Sequence, residues 1–405
     1  MATRVLLGGT LIDGTGKDPL PDAAVVICDH KIEQVGHSAQ VKYDRSPAEI
    51  VDLAGKTLVP GLIDMHVHLS SVPRGLQPGK PTLIGDAPSE TLVALAGAQN
   101  ARAALLGGVT TVRDLGSPFL TNIKLRDLVQ AGFIPGPRIV ACGSMISMTG
   151  GHGGDFALEV DSPDEARKAA RQMIKAGADV VKLAASGLTL NSPELTAAEM
   201  RAAVEAAHDA GIKVAAHASV WRGVENALAA GVDTIEHGYT LNEAFVETML
   251  KQGTMVVPTL ATVRRIARIG ADFEGWKDRL DVIHHRLDTA MNSFQLAYGA
   301  GVKFALGTDA SSPPLLSVGE VGPEFETLVE IGLSKMEALQ AATSVAAEGL
   351  GWQDRLGTIE AGKLADITVL NGNPLEDLDA LGDIYMVIKD GATVVADGMI
   401  TRKGV

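Results

Sequence analysis

Two histidines close an apolar segment that runs Gly61-Leu62-Ile63-Asp64-Met65-His66-Val67-His68. Successive side chains of a β-strand alternate between its two faces, so His66 and His68 would point the same way and could bind one metal ion together. The spacing alone is weak evidence, because two histidines on the polar face of a strand would show the same spacing. The pattern predicts a strand with a candidate metal site at its end.

Four more residues with metal-binding or acid–base chemistry lie in later strand-like segments: Lys182, His217, His237 and Asp309. Each has an ordinary alternative, since a histidine at a strand end is often only hydrogen bonded and an aspartate there often caps a helix. Lys182 is harder to explain, because an ammonium group buried without a partner between Val181 and Leu183 is costly. Six such residues in order at strand ends indicate a metal-dependent active site.

With this set of residues the chain resembles the amidohydrolase superfamily, whose hallmark is a binuclear metal centre at the mouth of a (β/α)8 barrel. The resemblance implies two groups of ligands, with the more buried ion held by His66, His68 and Asp309 and the more exposed ion held by His217 and His237. It also implies that carbon dioxide carboxylates Lys182 and that the resulting carbamate bridges the two ions.

Charge counting favours the modified lysine. Two divalent ions carry a charge of +4 among neutral imidazoles and need anionic oxygen ligands. The carbamate of Lys182, the carboxylate of Asp309 and a bridging hydroxide would supply them. Zinc is our first choice for a site rich in histidine, and manganese or cobalt could replace it.

The reaction implied by the resemblance is hydrolysis of an amide bond by a metal-bridged hydroxide. The ions would lower the pKa of the bridging water and polarise the scissile carbonyl. Asp309 would accept the proton of the attacking water and pass it to the leaving amine. His152 and Tyr239 are candidate groups for holding the oxygen on which charge develops.

Four residues are candidates for substrate binding. His152 stands in the glycine-rich segment Thr149-Gly150-Gly151-His152-Gly153-Gly154, where glycines allow the backbone to approach a ligand, although it could be an ordinary loop histidine. Tyr239 follows His237 by two residues and could equally be a packed loop tyrosine. Arg264 and Arg265 could bind a substrate carboxylate, although arginines on a helix surface are the commoner case.

Asp64 shares the face of His66 and His68, one layer deeper in the predicted strand. It could orient the imidazole of a metal ligand. It could equally accept a local hydrogen bond inside the barrel. On another segment, Ala305 and Gly307 share a face with Asp309, and such small side chains would leave room for metal ions.

Composition fits a large enzyme with small-molecule substrates. A chain of 405 residues can bury a substantial core and is long enough for a barrel of about 250 residues and a smaller domain. The net charge of −14 argues against nucleic acid or an anionic membrane as partner. Only two cysteines occur and no signal peptide or membrane-spanning run is evident, so we expect a cytoplasmic protein.

Strand and helix signals alternate through the middle of the chain, as a parallel barrel requires. The predicted barrel strands are 57–69, 108–115, 138–143, 180–186, 213–218, 234–238, 255–260 and 303–309. Capping boxes at Ser162, Thr196 and Ser334 mark helix starts between and after them. Short alternating strands at both chain ends predict a small β-sandwich, formed in the resembled family by residues 1–57 and 353–405, beside a catalytic barrel of residues 58–352.

Three short segments narrow the resemblance: T-G-G-H-G, V-K-L-A-A-S-G and I-E-H-G-Y. They are most similar to the metallopeptidase branch that cleaves dipeptides ending in proline or basic residues and related N-acyl amino acids. Leu188 is a departure, because that branch often has glycine after the equivalents of Ser186-Gly187. We therefore expect a small substrate with a free carboxylate, and a homo-oligomeric enzyme.

Two other functions stay open. A cyclic-amide, lactone or ester hydrolase of the same superfamily is the enzyme alternative. Imidazolonepropionase uses one metal and lacks the lysine, so Lys182 counts against that member. A structural scaffold descended from this fold is the non-enzyme alternative, but such relatives have lost metal ligands that are all present in this chain.

Overall fold

The structure is a computed structural model that describes residues 3–44, 48–72, 89–187, 193–272, 277, 280–311 and 315–401. Its described residues form one nine-stranded sheet from both chain ends and two parallel sheets from the middle of the chain. Among the described helices, none combines the length and the apolar character needed to cross a bilayer.

The nine-stranded sheet interleaves strands from the two ends of the chain. Its strands are β1 (Thr3–Leu11), β2 (Leu20–Cys28), β3 (Lys31–His37), β4 (Glu49–Asp52), β5 (Thr57–Pro60), β15 (Ile367–Leu370), β16 (Ile384–Lys389), β17 (Ala392–Ala396) and β18 (Met399–Ile400). The order is β18-β17-β16-β15-β5-β1-β2-β3, with β4 paired to β1. The antiparallel pairing of β5 with β15 joins the two ends of the chain, as the short alternating strands at both ends predict.

The parallel strands carry the candidate ligands. A three-stranded sheet contains β6 (Leu62–Val67), β7 (Val109–Asp114) and β8 (Arg138–Ala141). A six-stranded sheet contains β9 (Met145–Ser147), β10 (Ala157–Glu159), β11 (Val180–Ala184), β12 (Lys213–Ala218), β13 (Thr234–His237) and β14 (Met255–Val257), in the order β10-β9-β11-β12-β13-β14. Apart from β10, these strands are buried along nearly their whole length, which explains their largely apolar sequences.

Residues 303–310 connect β14 to β6. Ala305 N donates to Val256 O on the β14 side, while Met65 N donates to Leu306 O and His68 N to Ala310 O on the β6 side. The predicted strand 303–309 is not a regular strand, however, and makes only single bridges to its neighbours. Backbone left-handed at Asp309, with φ of 53°, explains the break in the strand pattern.

The first predicted barrel strand, 57–69, is divided at Gly61. Residues before it form β5 of the nine-stranded sheet, and residues after it form β6 of the parallel sheet. A Cβ atom at Gly61 would lie 2.2 Å from Thr110 Oγ1, so only glycine allows β6 to begin this close to β7.

Eleven helices of seven residues or more occur in the described ranges. They are α1 (Glu90–Leu106), α2 (Thr121–Gln130), α3 (Pro163–Ala176), α4 (Ala197–His208), α5 (Trp221–Ala230), α6 (Glu243–Gln252), α7 (Leu260–Ile269), α8 (Leu280–Gly299), α9 (Gly322–Ile331), α10 (Lys335–Ala341) and α11 (Ser344–Leu350). Short 3-10 helices cover Pro118–Leu120, Gly154–Phe156, Gly270–Asp272 and Leu378–Gly382.

The predicted capping boxes form at Thr196 and Ser334. Ser162 caps α3 by accepting from Glu165 N, but the Glu165 carboxylate accepts from Asp161 N instead of closing the box. The largest apolar cluster joins these helices to the parallel strands. A smaller cluster, with Met65, Val257 and Ala347 among its members, lets α11 pack against β6.

Candidate metal centre and active site

His66, His68 and Asp309 form a compact cluster of ligand atoms. Asp309 Oδ1 lies 3.6 Å from His66 Nε2 and 3.4 Å from His68 Nε2, and the three ligand atoms lie within 4.8 Å of one another. Two ligands bound at ~2.1 Å to a tetrahedral ion lie roughly 3.4 Å apart. The spacing therefore fits a metal ion between the three side chains better than it fits direct hydrogen bonds.

Hydrogen bonds to Nδ1 orient three of the four imidazoles. His66 Nδ1 lies 2.8 Å from the Glu236 carboxylate, and His68 Nδ1 lies 3.2 Å from Gly116 O. A carboxylate or carbonyl oxygen only accepts, so Nδ1 carries the proton in both rings. Thr259 Oγ1 donates to Pro258 O and therefore accepts from His237 Nδ1 at 2.6 Å. All three rings keep the lone pair of Nε2 for a metal ion.

Lys182 and His217 each contribute a buried polar atom without a hydrogen bond to this cluster. Lys182 Nζ and His217 Nε2 are buried and make no hydrogen bond with any described residue. The ring of His217 lies 4.2 Å from the ring of His237, which lies 5.2 Å from that of His66. Burial lowers the pKa of Lys182 to about 8, which favours the neutral amine that reacts with carbon dioxide. The unpaired His217 Nε2 fits a ligand of a second metal ion, and the unpaired Lys182 Nζ fits a carboxylated lysine.

Backbone at three positions around the cluster is left-handed. His237, Thr259 and Asp309 have φ angles of 73°, 55° and 53°. Such conformations cost energy in residues other than glycine and are typical of functional sites. At His237 the turn has a direct effect, because a regular strand would send Glu236 and His237 to opposite faces. Both side chains instead reach His66.

Glu236 and Arg113 are site residues that the sequence patterns did not single out. Both are fully buried, and Arg113 Nη2 lies 2.7 Å from Glu236 Oε1. Burial acts to raise the pKa of Glu236, but Arg113 and His66 outweigh it and hold that pKa well below its usual range. The available signal was a charged residue inside each of two apolar strands, which is costly unless the two are paired.

Asp64 holds the backbone around the cluster. Its carboxylate accepts from Thr308 Oγ1 at 2.6 Å, from Thr308 N at 3.0 Å and from His66 N at 3.2 Å. Burial raises the pKa of Asp64 to about 7. Of the two roles considered from sequence, the local hydrogen-bonding role is the one observed, because Asp64 contacts the backbone of His66 and not its ring. It fastens residues 303–310 to β6.

His152 and Tyr239 lie beside the histidine cluster. The ring of His152 is 4.1 Å from that of His217, and His152 N donates to Glu194 Oε2 at 2.8 Å. Burial lowers the pKa of His152 to about 4, so this ring is neutral near pH 7. Tyr239 is buried with its hydroxyl 3.3 Å from His237 Nδ1, and burial raises its pKa.

The predicted arginines are not part of this cluster. Arg264 on α7 forms an ion pair with Glu330 and donates to Thr327, both on α9, and Arg265 is exposed on α7. The helix geometry explains this, because α7 packs against α9 along the side that carries Arg264. A different cation, Arg286 on α8, lies close enough to Tyr239 to act on the pKa of its phenol. Leu188, the departure noted in the sequence, lies outside the described residues.

Comparisons with known proteins agree with the geometry. The model of the amidohydrolase family matches residues 57–394. Ochratoxinase from Aspergillus niger is 31% identical over 415 residues, which cover 92% of this chain and 82% of that protein.

Two solved structures resemble the whole chain closely. A Xaa-Pro dipeptidase with bound methionine in its active site is 33% identical, with a TM-score of 0.87 over 97% of this chain and 99% of that one. A prolidase complexed with N-methylphosphonate-L-proline is 32% identical, with a TM-score of 0.87 over 98% of this chain and 100% of that one. The family match spans most of the sequence and includes all six candidate metal ligands, so the chain belongs to the amidohydrolase family.

Proposed function

We propose that this protein is a metal-dependent hydrolase that cleaves the amide bond of a dipeptide or an N-acyl amino acid. The observation that carries the proposal is the convergence of four imidazoles, one carboxylate and one buried amine. The family is generally one of binuclear metal enzymes. Similarity over nearly the full length to a Xaa-Pro dipeptidase and a prolidase supports the substrate class.

Six residues would hold two divalent ions, with zinc as our choice: His66, His68, Asp309, Lys182, His217 and His237. In this arrangement a carboxylated Lys182 would satisfy the buried Nζ that otherwise has no partner among the described residues. When bound, the ions would supply positive charge that polarises the scissile carbonyl and makes a water molecule acidic enough to ionise near neutrality.

Asp309 is the proton carrier in this proposal. Burial acts to raise its pKa, but His66 and His68 outweigh it and keep the carboxylate ionised. Asp309 would take the proton of the attacking water and deliver it to the leaving nitrogen. No covalent intermediate with the protein is required.

His152 and Tyr239 would orient the substrate. A neutral His152 can donate one N–H hydrogen bond to the carbonyl oxygen of the scissile amide. The Tyr239 hydroxyl, beside His237, can donate to an oxygen of the substrate on the other side of the cluster. Both groups are held by contacts of their own, His152 through Glu194 and Tyr239 through Ser293, which reduces the cost of ordering them on binding.

We also infer that the parallel strands close into one (β/α)8 barrel and that the sheet of the two chain ends forms a separate small domain. The hydrogen bonds of residues 303–310 to β14 and β6 support closure on one side. The bond from Asp179 N to Ala141 O supports it between β8 and β11. In this fold every candidate ligand would lie at the catalytic face of the barrel.

The test is hydrolysis of a library of dipeptides and N-acyl amino acids by metal-replete protein, with matched carboxy-amidated compounds as controls. Free acids should be cleaved with a substantially higher kcat/KM than the blocked compounds. If blocked compounds are cleaved equally well, a cyclic amide, lactone or ester becomes the better substrate class.

Variants of three arginines can identify the group that binds the carboxylate. Arg264→Ala and Arg265→Ala test the residues proposed from sequence, and Arg286→Ala tests the cation near Tyr239. A carboxylate-binding arginine should affect free acids more than amidated substrates. Tyr239→Phe should show the same preference if its hydroxyl takes part.

A further inference from the structure

Glu236 links the metal cluster to the interior of the parallel strands. Its Oε2 faces His66 Nδ1 at 2.8 Å, and its Oε1 faces both Arg113 Nη2 at 2.7 Å and Thr234 Oγ1 at 2.6 Å. No part of the Glu236 side chain is exposed. The two carboxylate oxygens therefore have different partners, one toward the cluster and one toward Arg113.

Arg113 fixes Glu236 from β7, a strand of the other parallel sheet. Its Nε donates to Met65 O at 2.6 Å, and its Nη1 donates to Thr234 Oγ1 at 3.0 Å. The guanidinium thus connects β6, β7 and β13, the strands that carry His66, Arg113 and Glu236. A guanidinium group only donates hydrogen bonds, so the side-chain atom that faces Arg113 must be an acceptor.

We propose that Glu236 and Arg113 are positioning residues that keep the proton of His66 on Nδ1. They thereby strengthen the binding of the metal ion held by His66, His68 and Asp309. This inference rests on the proposed metal-dependent function. At the other two ligand imidazoles with a bonded Nδ1, the partner is not a carboxylate, since His68 bonds a carbonyl and His237 bonds a hydroxyl. An ionised carboxylate behind an imidazole strengthens it as a ligand more than a neutral acceptor does.

The network makes a specific prediction for Glu236→Gln. Glutamine has one side-chain oxygen. Arg113 and Thr234 both donate to the position that Oε1 occupies in Glu236, so the glutamine oxygen must lie at that position. The side-chain NH2 then faces His66 Nδ1 and can only donate. His66 would have to carry its proton on Nε2, the atom that the metal needs.

The experiment is a titration of metal-free protein with Zn2+ against a competing chelator in bicarbonate buffer. For Glu236→Gln we expect one of the two zinc equivalents to weaken by about 10–100-fold, the scale for loss of an outer partner of a ligand, and the other to change much less. Asp233→Asn is the matched control. This carboxylate precedes β13 and bonds His208 and Lys213, so its loss should leave both zinc affinities unchanged.

A second variant separates positioning from a general loss of structure. In Glu236→Gln combined with Arg113→Met, the guanidinium donor is removed. The Thr234 hydroxyl, which can accept as well as donate, can then accept from the amide nitrogen, and the amide can turn its oxygen toward His66. The double variant should recover part of the zinc affinity, whereas a merely structural role predicts a further loss. Imidazole 15N shifts of the metal-free protein should place the His66 proton on Nδ1 in the wild type and on Nε2 in Glu236→Gln.

Three outcomes would overturn the inference: wild-type affinity for both zinc equivalents in Glu236→Gln, an Nδ1 proton retained there, or no recovery in the double variant. Failure of the proposed function looks different. A wild-type protein that binds two zinc ions but cleaves no amide would contradict the function and leave this network intact.

Discussion

Gly307→Ala should strain the metal centre through a single added methyl group. Gly307 lies in the segment between β14 and β6, and a Cβ atom there would come 2.3 Å from Val257 Cγ1, 3.0 Å from His66 Cβ and 3.1 Å from His66 N. The first distance is a severe clash, and the other two are tighter than ordinary contacts. The φ angle of Gly307 is not left-handed, so the effect would come from packing alone.

The size of the effect follows from how firmly the segment is held. Met65 N donates to Leu306 O at 2.9 Å and Asp309 N to His66 O at 2.8 Å, on either side of Gly307. Moving the segment outward would stretch these bonds, each worth about 1 kcal/mol. Overpacking of a buried site costs about 1–3 kcal/mol in the free energy of unfolding. We expect a loss in that range, together with weaker zinc binding because His66 is displaced.

Urea unfolding of metal-free protein and zinc titration would measure the two effects. Val257→Ala removes the atom in the worst contact, so the double variant should be more stable than the two single losses predict, by about 0.5–3 kcal/mol of coupling. Gly299→Ala is the control, because a Cβ there meets no atom within 4 Å. Wild-type stability and zinc affinity in Gly307→Ala would show that the added methyl group strains neither the segment nor His66.

Three other predictions concern ionisable groups. Lys182→Ala should abolish activity, with partial rescue by short carboxylic acids that replace the missing anion. Lys213→Ala, at the first residue of β12, is the control and should keep its activity without added acid. Asp309→Asn should lower kcat by at least ~10²-fold at full metal occupancy, and near-normal turnover would mean that another group moves the proton. Glu324→Gln should flatten the pH dependence of stability. Burial raises the pKa of Glu324 from 4.5 to about 8, so the folded state binds more protons and the wild type should lose stability relative to the variant as pH rises across that interval. Urea unfolding at pH 5 and 8 would measure the free energy of unfolding of both proteins. An equal difference between wild type and variant at the two pH values would contradict the prediction.

Regular patterns made much of the fold accessible from sequence. Strands such as Val180–Ala184 and Lys213–Ala218 were predicted nearly at their observed limits, because buried parallel strands are short apolar runs between turn signals. The similar texture of the two chain ends also predicted that they share a sheet. The domain limits at 57/58 and 352/353 stay a prediction.

What the sequence could not supply depends on contacts between distant residues. The irregular segment 303–310 is held in place by the bond between Asp64 and Thr308, which are far apart in the chain. The pairing of Glu236 with Arg113 spans two strands and has no local signature. Arg264 was considered as a ligand for a substrate carboxylate, but its ion pair with Glu330 on α9 could not be known from local sequence.

A carboxylated Lys182 shared by two metal ions can be observed in a crystal structure of the zinc-loaded protein grown with bicarbonate, supported by elemental analysis of the same sample. We expect two zinc ions per chain and a carbamate on Lys182 Nζ that contacts both. An unmodified amine at Lys182 in metal-replete protein, or full activity with at most one ion per chain, would contradict it.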